Sequence, residues 1–432
     1  MQQTGLVTRL AGRLPFYYGW VVLGCVCFAC FSRAGPAVAT LSMFVTPMTS
    51  EFGWSRTELA GAVSLGGVLA ALSSPMIGAY LDRKGARLVL CGAVLATGVT
   101  LISLSMIESL LAFYVLFCIA RMNWAGPFDL GIYGAVNTWF VTKRGVAASV
   151  VTLAQMVGLT LMPLIGYWVI EHHGWRAGWL VIGSAVLIMG FLPSWFFMVR
   201  RPEDMELLPD GAVPRDPATP GRAAAEPAVV EPTFTRTEAL RTRAFWMLAL
   251  YTAMIYPVQA GLSLHQAAHV IERGLSTATA ATVVSLFSFS SAFTGFSYGV
   301  LQRWLNTKVA LAFAGLLLAA SSFAMMATTT PLGAMTAGVL FGLGIGGVHT
   351  LLPIAWADYF GRRNYGAIRG IALTVQVASQ AAGPLASGIL RDWTGDYMAS
   401  LVLFAVLSGL GAVTALAIRA PVGLAGAKTT AG

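Results

Sequence analysis

The sequence predicts an all-α membrane protein of twelve transmembrane helices, arranged as two pseudo-symmetric six-helix bundles. Three observations predict it. The 432 residues are 57% hydrophobic and only 10% charged, whereas soluble domains carry about 25% charge. Apolar runs of the roughly 20 residues needed to cross a bilayer recur about twelve times. The second half also repeats the first. A shift of 221 residues lays Glu51-Phe-Gly53-Trp-Ser55 on Glu272-Arg-Gly274-Leu-Ser276, Val63-Ser64-Leu65 on Val284-Ser285-Leu286, Pro36 on Pro257 and Gly78 on Gly299.

Residues 1–18 form a short basic tail through Arg9 and Arg13, and the apolar run behind them is too long for a cleaved leader. Span 1 covers residues 16–44, with Tyr17, Tyr18 and Trp20 as an interfacial aromatic belt. Spans 2 to 6 follow at 55–81, 86–106, 110–138, 145–170 and 175–198. From 200 to 233 the chain changes character. Pro202, Pro209, Pro214, Pro217, Pro220, Pro227 and Pro232 rule out a helix, and the stretch reads as a flexible linker. Thr235-x-x-Glu238 is a capping-box pattern that opens a short basic surface helix. Spans 7 to 12 occupy 244–270, 276–301, 309–328, 332–357, 365–390 and 398–418. The domain plan is therefore an N-terminal bundle (1–199), a cytoplasmic linker with its surface helix (200–243) and a C-terminal bundle (244–432).

Basic residues set the orientation. With the N-terminus inside, the outer loops hold only Arg56, Arg176, Arg273 and Arg391, and Arg33 and Arg121 lie within spans. All other Lys and Arg are assigned to the inner side, Arg369 included, so both termini and the linker are expected in the cytoplasm. The net charge of +9 is thus a matter of topology, not of nucleic-acid binding. Cys25, Cys27, Cys30, Cys91 and Cys118 sit inside apolar runs as small packing residues, and neither a metal nor a cofactor is expected.

A charge at mid-bilayer costs at least about 2.5–3.5 kcal/mol on insertion scales, so buried ionisable residues point to function. They recur on every third span: Arg33 on span 1, Arg121 and Asp129 on span 4, His265 and His269 on span 7, His349 on span 10. Arg121 and Asp129 stand eight residues apart, about 12 Å along one helix, and Gly126-Pro127 between them is a natural kink. Arg33 reads equally as a contact for an anionic substrate or as the ion-pair partner of Asp129. Asp129, the only carboxylate deep in a span, is the leading proton carrier, with counter-ion as its structural role. Under a 220-residue shift His349 falls opposite Asp129. His265 reads as a wet cavity lining and His269 as an interfacial residue; with Gln266 in place of an acid, the pair lacks the makings of a zinc protease. Gln155 and Gln376, with Tyr133, Tyr256 and Gln259, are neutral donors at similar depth, for substrate or for interhelical bonds.

Between spans 2 and 3 lies Gly78-Ala-Tyr-Leu-Asp82-Arg83-Lys84-Gly85-Ala-Arg87. This G-x-x-x-D-R-x-G-x-R pattern resembles the loop signature of the major facilitator superfamily of secondary transporters. The copy in the second half is degenerate, with Arg303 for Asp82 and Lys308 for Arg87. The resemblance implies a substrate site between two six-helix halves, lined by spans 1, 4, 7 and 10, and gating by Asp82, Arg83 and Arg87. It also matches Arg121 (R-x-x-x-x-G) to the fourth-span arginine of relatives. Phe16-Tyr-Tyr-Gly19-Trp20, Glu51-Phe-Gly-Trp54-Ser-Arg56 and Trp139-Phe140-x-x-Lys143-Arg144 resemble the monocarboxylate and oxalate/formate porter branch. One departure stands out: that branch carries an Asp/Arg pair within span 8, and here span 8 has no charge before Arg303.

The expectation is a monomeric, non-enzymatic secondary active transporter of a small organic anion, a carboxylate, in the cell inner membrane. Arg33, Arg121, Tyr133, Gln155, Tyr256, Gln259, His265, His349 and Gln376 would contact substrate, and Asp129 with His349 would couple protons. The alternative is a proton-coupled exporter of lipophilic or drug-like compounds, favoured if Arg33 and Asp129 neutralise each other. Membrane enzymes are disfavoured by the lack of a complete catalytic set, and a transport-dead sensor by the lack of a signalling domain.

Overall fold

The computed structural model describes residue 11 and residues 13–211, 231–301 and 306–421. Pro214, Pro217, Pro220, Pro227 and Arg303, singled out above, lie outside the described residues. The chain is helical throughout, and ten stretches among the described residues are long and apolar enough to cross a membrane. One of them, Arg144–Phe197, is 54 residues long and is two crossings. Gly174 interrupts it at φ +80°, a left-handed conformation that glycine adopts without strain. Span 11 forms as a 30-residue helix, Tyr365–Thr394, whose mean hydropathy is lower than its neighbours' because of Arg369, Gln376 and Gln380.

The described residues up to Thr233, together with Gly361–Gly370, form one compact unit; Phe234–Phe360 and the described residues from Ile371 form the other.

In the first unit, span 1 is two helices rather than the single one expected: α1 (Gly19–Arg33) and α2 (Val38–Phe52). Pro36 lacks an N–H to carry the helical ladder across, and the break leaves Arg33 as the last residue of α1. α3 (Arg56–Lys84) begins at a capping box in which Ser55 and Glu58 exchange hydrogen bonds, and it turns into α4 (Ala86–Leu104) through Gly85 at φ +86°. Span 4 is split at the Gly126-Pro127 kink into α5 (Leu110–Ala125) and α6 (Pro127–Trp139). α7 (Arg144–Val186) contains the Gly174 break; a π-helical turn at Leu187–Phe191 then leads into α8 (Leu192–Phe197). Stacking of Phe44 on Trp179, with ring centroids 3.7 Å apart, ties α2 to α7. Trp175 and Arg176 both donate to the Glu51 carboxylate at 2.6 Å, so the Glu51-Phe-Gly-Trp54 segment anchors the end of α2.

The described start of the linker is not featureless. Pro202–Met205 and Pro209–Gly211 are 3-10 turns. The Asp210 carboxylate accepts the N–H groups of Val141, Thr142 and Lys143 at 2.8–3.1 Å, capping the approach to α7. The proline count did excludes an α-helix here, but it could not register a loop held by its own side chains.

The second unit opens with α9 (Arg236–Arg241), whose Thr235/Glu238 capping box forms as the sequence predicts. Then come α10 (Arg243–Glu272), α11 (Thr277–Leu301), α12 (Thr307–Met326), α13 (Pro331–Phe360), α14 (Tyr365–Thr394), whose first turn up to Gly370 belongs to the first unit, and α15 (Met398–Ala417). α13 presents Gly338, Gly342 and Gly346, one turn apart, to the backbone of α11 at Val283, Phe287 and Ser291. A β-carbon at any of the three would collide with it. Small residues let two helices meet this closely where lipid offers no hydrophobic drive.

Candidate functional site: a buried ionic centre

The kink at Gly126 places Asp129 in the first turn of α6, where the helix dipole favours a carboxylate. Asp129 is 6% exposed. Its Oδ2 lies 3.7 Å from Nη2 of Arg33, and its Oδ1 accepts from Nη2 of Arg369 at 3.4 Å. The ion pair considered for Arg33 is therefore present, but Arg369 is the nearer partner. Arg369 is fully buried on α14, which corrects its assignment to the inner-surface charge.

Arg33 also donates from Nε to the Trp124 carbonyl at 2.9 Å, beside the helix break. Its guanidinium carbon sits 4.8 Å from the Trp124 ring centroid, and that of Arg121 sits 3.9 Å from the same ring. Two guanidiniums thus share one indole face system, an arrangement stabilised by cation–π attraction. They differ in one respect. Arg33 is paired, whereas Nε and Nη1 of Arg121 are buried and have no hydrogen-bond partner. Buried donors are nearly always satisfied, and these two meet no acceptor among the described residues. Three arginines against one aspartate leave the centre positive. Tyr133 is buried on the same helix as Asp129. Gln155, half-buried on α7, has no hydrogen-bond partner among the described residues.

At the end of the first unit where α3 turns into α4, the three expected gating residues separate. Asp82 accepts the N–H of Gly366 through Oδ1 and of Ala367 through Oδ2, both at 2.7 Å, and so caps α14. Arg83 contributes a backbone carbonyl, which accepts from Arg200 at 2.7 Å. Arg87 donates to the Trp195 carbonyl at 2.8 Å and packs on the Trp195 ring. Asp82 borders a cavity of about 350 Å³ that also takes in Arg201, Glu203, Glu231, Arg362 and Tyr365. Arg362 is held by Glu231 at 2.8 Å, by Glu203 at 2.6 Å and by the Thr138 carbonyl at 3.0 Å, and Glu231 also pairs with Arg144.

In the second unit the candidates are tyrosine, glutamine and histidine side chains. The Tyr256 and His349 rings lie 6.2 Å apart and nearly parallel. Gln259 accepts from Gln380 at 2.9 Å, and Gln376 is half-buried. His265 is bound at both ring nitrogens, to the Pro384 carbonyl at 3.2 Å and to the Tyr397 hydroxyl at 3.3 Å. His269 is not interfacial as expected. It is 3% exposed and bonds the Met325 carbonyl at 3.0 Å; a position near the end of a span does not reveal that a neighbouring helix covers it.

Sequence reasoning missed Arg369 and Trp124. Arg369 carried a signal, since it stands between Ile368 and Gly370-Ile371 within an apolar helix, but a long side chain at a span end reads as snorkelling to the surface.

A multi-span helical protein with an ion cluster sealed inside its spans, and a loop carboxylate capping a later span, is a membrane carrier in its general class. The chain belongs to the Major Facilitator Superfamily, whose family model matches residues 21–384, and it is accordingly a transporter-family protein and not an enzyme. It is 26% identical over 422 residues to monocarboxylate transporter 11 of Homo sapiens, covering 94% of this chain and 84% of that one. It is 28% identical over 384 residues to the oxalate:formate antiporter of Oxalobacter formigenes, covering 84% and 82%. Among solved structures it resembles the human organic anion transporter MFSD10 (TETRAN) with a TM-score of 0.72 at 16% identity, covering 93% of this chain and all of that one.

Proposed function

We propose that this chain is a proton-coupled secondary transporter of a small organic anion, a carboxylate, working by alternating access in the cell inner membrane with both termini cytoplasmic. The observation that carries the reading is Arg121: a half-buried side chain whose guanidinium is seated on Trp124, with Nε and Nη1 buried and unpartnered among the described residues. A carboxylate supplies the charged acceptor that such donors bind most strongly. The names of two relatives, a monocarboxylate transporter and an oxalate:formate antiporter, point the same way.

Arg33 then serves as a second positive wall, and Tyr133 and Gln155 as neutral contacts in the first unit. Tyr256, Gln259, His349 and Gln376 have that role in the second, with His265 reached only by releasing Tyr397. Asp129 carries the proton, assisted by His349, because its protonation lifts a negative charge from beside two arginines and so prepares them for an anion. Asp82 holds the cytoplasmic gate by capping α14; Arg83 and Arg87 brace its loop. The six-helix bundles 1–199 and 244–432 are the moving parts.

The competing reading, export of lipophilic compounds, gains support from the Arg33–Asp129 contact, which neutralises that pair. Arg369 and Arg121 restore the positive excess, and this tips the balance to an anion. Uptake into proteoliposomes separates the two. A labelled carboxylate entering faster under an inward proton gradient supports the proposal; transport of a lipophilic dye with no response to any carboxylate overturns it.

A further inference from the structure

We propose that the cavity beside Asp82 binds a phosphate-type anion through Arg200, Arg201 and Arg363, as a second anion site separate from the centre around Arg121. The inference goes beyond the transport reading and does not depend on it.

The cavity holds about 350 Å³, within the roughly 300–1,000 Å³ of small-molecule sites. Arg200, Arg201, Arg362 and Arg363 line it. So do three carboxylates, those of Asp82, Glu203 and Glu231. The carboxylates are all committed. Both oxygens of Asp82 accept backbone N–H groups, from Gly366 and Ala367. Glu203 and Glu231 converge on Arg362, and Glu231 also holds Arg144.

The other three arginines have neutral partners or none. Arg200 donates from Nη2 to the Arg83 carbonyl at 2.7 Å, and its Nε is buried with no hydrogen-bond partner among the described residues. Arg201 donates from Nη2 to the Asp82 backbone carbonyl at 3.4 Å. Arg363 is exposed. None of the three forms an ion pair with a carboxylate among the described residues. A guanidinium carries several N–H donors, so most of this donor capacity is unused. The charges also come from two stretches of chain: Arg200 and Arg201 follow α8, and Arg363 precedes α14. Like charges gathered at one cavity repel each other, and a bound anion relieves that repulsion.

The donor set selects the anion. Guanidinium matches both carboxylate and phosphate in a two-pronged bond. A single carboxylate brings one charge and suits one such fork. A phosphate monoester brings a charge of about −1.5 to −2 at pH 7 and more acceptor oxygens, which suits several guanidiniums at once. The same group exists free in solution and as the headgroup of phosphatidic acid.

The experiment is thermal unfolding of the full-length protein in phosphatidylcholine nanodiscs, titrated with inorganic phosphate at constant ionic strength, with acetate as the singly charged control. Phosphate should raise the Tm saturably and at lower concentration than acetate. It should do so equally in Arg121→Gln, which separates this site from the proposed substrate centre. The double variant Arg200→Gln/Arg363→Gln should lose the response. Arg363→Gln alone alters an exposed side chain, so it should keep the native Tm without phosphate and raise the half-saturating concentration about tenfold. A second arm replaces part of the lipid with phosphatidic acid and omits free phosphate. A raised Tm that then no longer responds to phosphate supports the site with a lipid headgroup as its occupant; an unchanged Tm with the phosphate response intact supports it with a soluble anion. No phosphate or phosphatidic acid response in the native protein, or the same response in native protein and both variants, overturns the proposal.

Discussion

The two units are built on repeating halves of the sequence, yet the buried ion pairs among the described residues lie in one of them, which also takes in the first turn of α14. The first holds Arg33, Arg121, Asp129 and Arg369 within its helices. The second places His349 where the repeat puts Asp129, Phe341 where it puts Arg121 and Met254 where it puts Arg33. There Gln259, His265 and His269 bond to uncharged groups, and the ion pairs described within it, around Arg391, are exposed. A six-helix unit of this kind therefore folds without an ionic centre. Buried ion pairs seldom repay their desolvation, so the charges of the first unit fit the proposed binding role better than a purely stabilising one.

The comparison breaks most directly at Asp129. Asp129→Asn strands two buried arginines and should destabilise the first unit by about 3–5 kcal/mol, read as a lowered unfolding midpoint in denaturant, together with loss of the pH dependence of transport. A shift below about 1 kcal/mol would mean the centre is open to water. Next comes Asp82→Asn. Losing a charged acceptor of two N–H bonds should cost about 1.5–3 kcal/mol, seen as early proteolytic or hydrogen-exchange opening at the start of α14, and native protection there would remove Asp82 from the gate. The matching change in the second unit, His349→Gln, gives up the ring contact with Tyr256 among its interactions. That contact is worth about 0.5–1.5 kcal/mol, and the change should cost less than Asp129→Asn; a loss as large as that of Asp129→Asn would show that the two units share the burden after all.

The smallest effect lies outside both centres. Bonds from the Thr235 N–H and hydroxyl hold the Glu238 carboxyl below its usual range. A carboxylate depressed on folding stabilises α9 above its unfolded pKa, about 4.3, and that support is lost as the pH falls through the lower folded value. The protection of amides 235–238, relative to the unfolded chain at the same pH, should thus be constant from pH 7 to about 5 and fall only below about 4. Loss of protection at neutral pH would mean the capping box is not formed in solution.

Much of this was legible in the residues. Apolar run lengths gave the spans, Gly126-Pro127 the kink and Thr235-x-x-Glu238 the cap, because each depends on local chemistry alone. Arg33, Arg121 and Asp129 stood out because charge in an apolar run is rare. Four features did not show. The break at Pro36 did not stand out because Pro75, Pro163 and Pro257 sit inside other spans without ending them. Arg369 sat near a span end, where its reach inward is invisible in one dimension. Trp124 read as one more apolar residue until two arginines converged on it. His269 looked interfacial because nothing along the chain marks the helix that covers it.

The central claim is that the first unit's positive centre holds the substrate through Arg121. Thermal unfolding of the purified protein against a panel of small carboxylates tests it, since a ligand at 100 times its Kd stabilises by about 2.7 kcal/mol. The account predicts that at least one carboxylate raises the Tm of the native protein and none raises that of Arg121→Gln, whose own Tm is not below native. A carboxylate that stabilises Arg121→Gln as fully as the native chain would contradict it.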